Sequence, residues 1–191
     1  GGDEHTSLMQ RLGRRLLVRG RKVARPGVQI DINLERPKSL GTVRLRDANP
    51  LSHPAIDPNF LSSPQDIQEL VVAVKNMRTV MQQPQIARYV TGEIGAWEGA
   101  QSDEKIVAAI RRTAYTGHHP CGTSRMGHDN DAGAVLDSQL RVRGVHGLRV
   151  CDAAAMPGQI TGNLYATVVA MAEKAADMIA GKPPLKDSES V

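Results

Sequence analysis

Aromatic side chains are nearly absent from this chain. Its 191 residues include one Phe, one Trp and three Tyr: Phe60, Trp97, Tyr89, Tyr115 and Tyr165. Proteins that bind single-stranded nucleic acid stack bases on aromatic platforms, and there are too few here. Cysteine is equally scarce: Cys121 and Cys151 cannot build a disulfide framework or a Cys-based zinc site. No run of about 18 apolar residues occurs, so nothing reads as a membrane-spanning helix. No apolar leader-type stretch opens the sequence, which points to a cytoplasmic protein.

What remains is the composition of a soluble globular chain, 40% hydrophobic and 23% charged. The net charge of +4 comes from one place. Residues 11–25 hold seven Arg or Lys and no acid, and removing those seven leaves −3 on the rest. A nucleic-acid domain spreads basic charge over a face of its fold, so this run reads as a solvated connector or helix.

Four segments follow from composition: a basic lead-in at 1–26, an α+β part at 27–117, a Gly-, His- and Asn-rich part with a final helix at 118–182, and a tail at 183–191. Val28, Ile30, Ile32 and Leu34 alternate with polar residues, the period of a half-buried strand, and Val43-Arg44-Leu45 resumes it. The two predict an antiparallel pair. Residues 47–62 carry Pro50, Pro54 and Pro58 and read as irregular. Ser63-Pro64-Gln65-Asp66 opens a helix, with Ser63 as cap and an acid three residues on. Its apolar stripe is Ile67, Leu70, Val71, Val74, Met77 and Met81, and Pro84 ends it. A second helix follows Ser102, with Ile106, Ala109 and Ile110 inward. Leu148–Cys151 reads as a strand ending at Asp152. A last helix spans about 166–180, with Val168, Met171, Ala172, Ala175, Met178 and Ile179 facing a core and Gly181 and Pro183 closing it. The fold class is therefore mixed: an antiparallel α+β part, then the last strand and helix of an α/β sheet.

Three constellations bear chemistry. In His118-His119-Pro120-Cys121-Gly122-Thr123-Ser124-Arg125-Met126-Gly127-His128, a zinc site, a Cys121–His119 nucleophile pair, a structural loop and a general base on a Gly-rich loop all compete. Adjacent His side chains diverge, and the spacing matches no standard metal loop. Asp152 stands at the carboxyl end of a strand, where open α/β sheets contact ligands, or simply caps a turn. Gly158–Asn163 leads into the last helix, whose N-terminal N–H groups suit an electron-accepting ligand.

Together the three resemble the C-terminal part of the glucose–methanol–choline (GMC) oxidoreductases. The similarity runs through His119-Pro120-Cys121-Gly122-Thr123 with Met126-Gly127, then Val135-Leu136-Asp137 and Leu140 through Ala153, then Gly162-Asn163 ahead of Ala172 through Ile179. Upstream, ERPKSLGTVRLRDANPLSHPAIDPNFLS at 35–62 resembles the family's substrate-domain segment. The resemblance implies an FAD-dependent oxidation of an alcohol, with 27–117 in the substrate-binding domain and 118–182 in the FAD-binding domain. It implies His119 as the base beside the flavin and Asn163 as its polar companion. Asp152, Ala153, Asn163, Leu164, Tyr165 and Thr167 would line the cofactor, and no metal is implied. Ala166 departs from the family, many members having Pro there.

The family's G-x-G-x-x-G fingerprint, which seats the cofactor pyrophosphate, is absent. The chain therefore reads as the last third of a family member, completed by a missing N-terminal region or a partner subunit. The alternative is a non-catalytic interaction module that keeps the fold and needs a partner. Neither the alcohol nor the electron acceptor is legible.

Overall fold

The structure, a computed structural model, describes residues 27–183. The basic run at 11–25 and the tail beyond 183 lie outside those residues. The described elements are β1 (Thr42–Arg44), β2 (Ala55–Asp57), α1 (Pro64–Met81), α2 (Pro84–Ala87), α3 (Asp103–Thr113) and α4 (Tyr165–Ile179), with 3-10 turns at Gly95–Trp97 and Ala153–Ala155. Among them no helix is long and apolar enough to cross a membrane. Residues 27–31 belong to a separate unit from 32 onward; within them the Gln29 side-chain amide donates to Asp31 at 2.9 Å.

The antiparallel pair exists, with the expected strand near Val43 but a different partner. Val28–Leu34 forms no strand. Instead β1 pairs with β2, Val43 opposite Ile56, and β2 lies inside the stretch 47–62 that its prolines marked as irregular. Those prolines flank β2 without occupying it, so the ladder loses no N–H to them. Gly41 is required by close approach: a β-carbon there would stand 2.8 Å from the Pro58 carbonyl oxygen. Asn59, at φ 48°, turns the chain away and donates from its amide to the Leu40 carbonyl at 2.9 Å. Both strands are exposed throughout, and a two-stranded ribbon of this size has little stability of its own.

The helical expectations hold. Val71 and Val74 of α1 meet Ile106 and Ile110 of α3, and Ile32, Leu61, Ile67, Leu70, Trp97 and Val107 pack around them. Each such burial removes apolar surface worth about 1.5–3 kcal/mol per side chain. Ser102 caps α3 by accepting from the Lys105 amide; Asp103 and Glu104 lie in its first turn and Arg111 and Arg112 in its last, matching the helix dipole. The start of α1 differs from its sequence signature. Ser63 sits at the cap position but its side chain caps nothing. Asp66 does not close a capping box either. Its buried carboxylate accepts from the Lys38 and Ser39 amides at 2.8 Å and from the Ser39 hydroxyl, which in turn accepts from the Ser63 amide. Residues 38–39 outcompete the helix's own orphan N–H groups for this acid.

A second cluster joins Leu136, Leu140, Ala155 and Ala175, with Met126, Val142, Val150, Cys151, Met171 and Met178 against it. The strand expected at Leu148–Cys151 is reduced to one bridge, Arg149 to Arg141. A strand needs a hydrogen-bonded neighbour along its length, and only 140–142 lies beside this one among the described residues. On α4, Ala175 is buried and Val168, Met171 and Met178 are half-buried, whereas Ala172 is exposed and Ile179 is 64% exposed. The predicted stripe was thus too wide. Gly181 at φ 67° closes α4: its amide donates to Met178 and the Lys182 amide to Asp177, the paired bonds of a Schellman end.

Candidate active site

The loop bearing the His pair is built by its backbone. Thr116 offers its hydroxyl oxygen to the His118 amide at 3.0 Å, and His118 takes φ 61°, a left-handed conformation uncommon outside Gly. The chain reverses there, and His118 and His119 are both exposed. Beyond Pro120 the loop is laced onto the turn after Asp152. The amides of Gly122, Ser124 and Met126 donate to the carbonyls of Ala153, Ala154 and Ala155 at 3.1, 3.0 and 2.9 Å. The first and second constellations of the sequence are therefore one structural unit. Gly122 takes φ 82°, a left-handed conformation that L side chains rarely adopt; space alone would admit a β-carbon, 3.4 Å from the Met156 carbonyl oxygen.

Asp152 caps its own turn. One carboxylate oxygen accepts from the Ala154 amide at 2.7 Å, opening the Ala153–Ala155 turn, and the group is otherwise exposed. The Cys121 thiol is half-buried, and burial pushes its pKa up. A protonated thiol is a poor nucleophile, so the structure speaks against the Cys121–His119 pair. Among the described residues no group of three His, Cys, Asp or Glu side chains is close enough to hold a metal.

Asn163 is exposed and follows Gly162, whose φ of 131° only Gly adopts readily. Leu164, buried, takes the cap position of α4 and offers no side-chain bond to the helix N-terminus; Tyr165 is 79% exposed and Thr167 half-buried. No hydrogen bond joins the His119 and Asn163 side chains, and neither has another partner among the described residues. The Gly162 amide donates to the Glu35 carboxylate, 127 residues earlier in the chain. Sequence reasoning missed Glu35, because no local pattern signals a contact across that separation. It also missed the doubly bonded Arg125–Asp131 pair that braces the loop's far end. There the Arg125 guanidinium and the Gly133 amide bring the Asp131 carboxyl down to about 2.

The chain belongs to the GMC oxidoreductase family, whose family pattern matches residues 37–172. It is 42% identical over 161 residues to human mitochondrial choline dehydrogenase, covering 84% of this chain and 27% of that protein. Against the oxygen-dependent choline dehydrogenase of Escherichia coli O127:H6 it is 44% identical over 162 residues, 85% of this chain and 29% of the relative. The solved structure of an FAD-dependent oxidoreductase from Chaetomium thermophilum superposes with a TM-score of 0.66 at 34% identity, over 74% of this chain and 24% of that one. The chain spans little more than a quarter of the length of the curated relatives it matches.

Proposed function

We propose that this chain is the C-terminal part of an FAD-dependent oxidoreductase that oxidises an alcohol, with His119 as the base. The observation that carries the reading is the lacing of the His119 loop onto the Asp152–Ala155 turn. It ties the loop that follows the candidate base to the turn that follows the candidate cofactor contact through main-chain bonds. The two core clusters, one built from residues 32–110 and one from 126–178, support a division into a substrate-domain part at 27–117 and a cofactor-domain part at 118–182.

The donor set fits a flavin. The first turn of α4 has no side-chain cap, so its N–H groups can meet acceptor oxygens on the ring. Asp152 keeps one carboxylate oxygen free of hydrogen bonds, suited to the hydroxyls of the ribityl chain. Ala153, Leu164, Tyr165 and Thr167 complete that face. The exposed apolar side chains Tyr165, Val169 and Ile179 on α4 fit a helix that packs against further protein. That agrees with a longer enzyme, or a partner subunit, supplying the pyrophosphate site.

FAD, when bound, supplies the acceptor for the hydride that leaves the alcohol carbon. His119 takes the hydroxyl proton, the role an imidazole fills best near neutral pH. Asn163 orients the same hydroxyl without adding charge. Choline-like alcohols lead the candidates, because the relatives named above are choline dehydrogenases.

The test is substitution in the full-length enzyme. His119→Ala should lower turnover by about 10²–10⁴-fold, with His118→Ala much milder. Asn163→Ala should slow oxidation while the thermal midpoint stays put. A normal rate in His119→Ala would remove the mechanism, and equal losses from both histidines would mean the wrong one was chosen.

A further inference from the structure

Residues 32–35 alternate in exposure: Ile32 and Leu34 are half-buried, Asn33 and Glu35 exposed. Ile32 packs on the core between α1 and α3. The segment is thus held by one face and presents Asn33 and Glu35 on the other. Those two side chains reach the two loops of the proposed site. The Glu35 carboxylate accepts from the Gly162 amide, one residue before Asn163. The Asn33 side-chain oxygen lies 3.8 Å from where a β-carbon on Gly117 would stand, two residues before His119.

From this we infer that Glu35 is a positioning residue for Asn163, an inference that rests on the functional reading above. Among the described residues the bond to Glu35 is the single hydrogen bond that anchors 157–163. No other hydrogen bond holds the peptide ahead of Asn163 among the described residues, and Gly162 occupies backbone space in which the unrestrained chain has many alternatives. A hydrogen bond to a charged acceptor is about twice as strong as a neutral one, so a single such bond can select one conformer. A polar group displaced by about 1 Å from a reacting hydroxyl can cost about 10²-fold in rate. Glu35 touches neither base nor substrate in this scheme; it acts through the Gly162 amide.

The experiment uses the full-length, FAD-loaded enzyme with Glu35→Ala and Glu35→Gln. Amide hydrogen exchange should quicken roughly tenfold or more in the peptide covering 158–164 of Glu35→Ala, the worth of a bond to a charged acceptor. Exchange in α1 should not change. In the same variant kcat should fall about 10–100-fold, and the pH profile should keep its midpoint because the base is untouched. Glu35→Gln retains an acceptor oxygen and should recover part of both losses. Unchanged exchange at 158–164, or an equal rise in α1, would overturn the clamp. A wild-type rate in His119→Ala would sink the functional reading while leaving the exchange result standing, so the two failures are distinguishable.

Discussion

Residues 63–113 and residues 118–164 are held together by different means. The first region rests on side chains: two helices bury Val71, Val74, Ile106 and Ile110 against each other, and ion pairs such as Lys75–Asp103 are secondary. The second also buries large side chains, Leu136, Leu140, Met156 and Leu164. To that packing it adds main-chain bonds and short acids that grip nearby amides. Asp131 holds Gly133, Asp137 holds Gln139 and Arg141, and Asp152 holds Ala154. Packing tolerates no loss of volume but is indifferent to protonation. A carboxylate-stitched loop adds a dependence on charge.

That contrast can be broken at three points. The largest effect should come from Ile106→Ala, which empties a fully buried site. It should cost about 2–5 kcal/mol, read by urea unfolding, with exchange at the 122–126 amides unaltered. If those amides loosened as much as α3, the two regions would be one cooperative unit and the distinction would fail.

Asp66 is the exception within the first region, a buried acid, and Asp66→Ala should rank second. Three donors from residues 38–39 would lose their acceptor, at about 1–3 kcal/mol. Burial pushes the Asp66 carboxyl up, but the Ser39 hydroxyl and the Lys38 and Ser39 amides outweigh it and set it below the ordinary value. Exchange at residues 38–40 should rise more than exchange in α3; the reverse would place Asp66 in the helix rather than in the clasp.

The smallest effect should be local and acid-dependent. The Asp131 carboxyl is lowered from 3.8 to about 2, first by its bond from Arg125 and then by the Gly133 amide. A carboxyl lowered on folding stabilises above its unfolded value and loses that contribution as pH falls through its folded one. The 125–135 segment should therefore loosen between about pH 4 and pH 2, seen by amide exchange, and Asp131→Asn should abolish that pH dependence. An unchanged acid response in Asp131→Asn would assign it elsewhere, Asp137 being the next carboxyl lowered in this region.

The same contrast explains what could be read in advance. α1 and α3 were legible because helix periodicity is local: Ile106, Ala109 and Ile110 are inward as their spacing requires. The order of β1 and β2 was not, since proline density hid a three-residue strand that the prolines merely bracket. Asp66 carried the right residue at the right place for a capping box, but its bonds went to residues 38–39, 28 and 27 positions away. His119, Asn163 and Asp152 could be named from a resemblance. Glu35 could not, because its partner lies beyond any window that sequence pattern can span.

The three bonds from 122, 124 and 126 to 153–155 use only peptide groups. The side chains of Thr123 and Ser124 can therefore be exchanged without unpicking the seam. Proline is the exception, since it brings no N–H to the three positions where one is spent. A library that randomises 123 and 124, with proline withheld at 124, would vary the chemistry near the proposed base while Arg125 keeps its bonds to Asp131 and Met126 its core contact. Gly122 would stay fixed for its backbone conformation alone. At Thr123 and Ser124 the loop is in this sense a socket whose fittings are interchangeable.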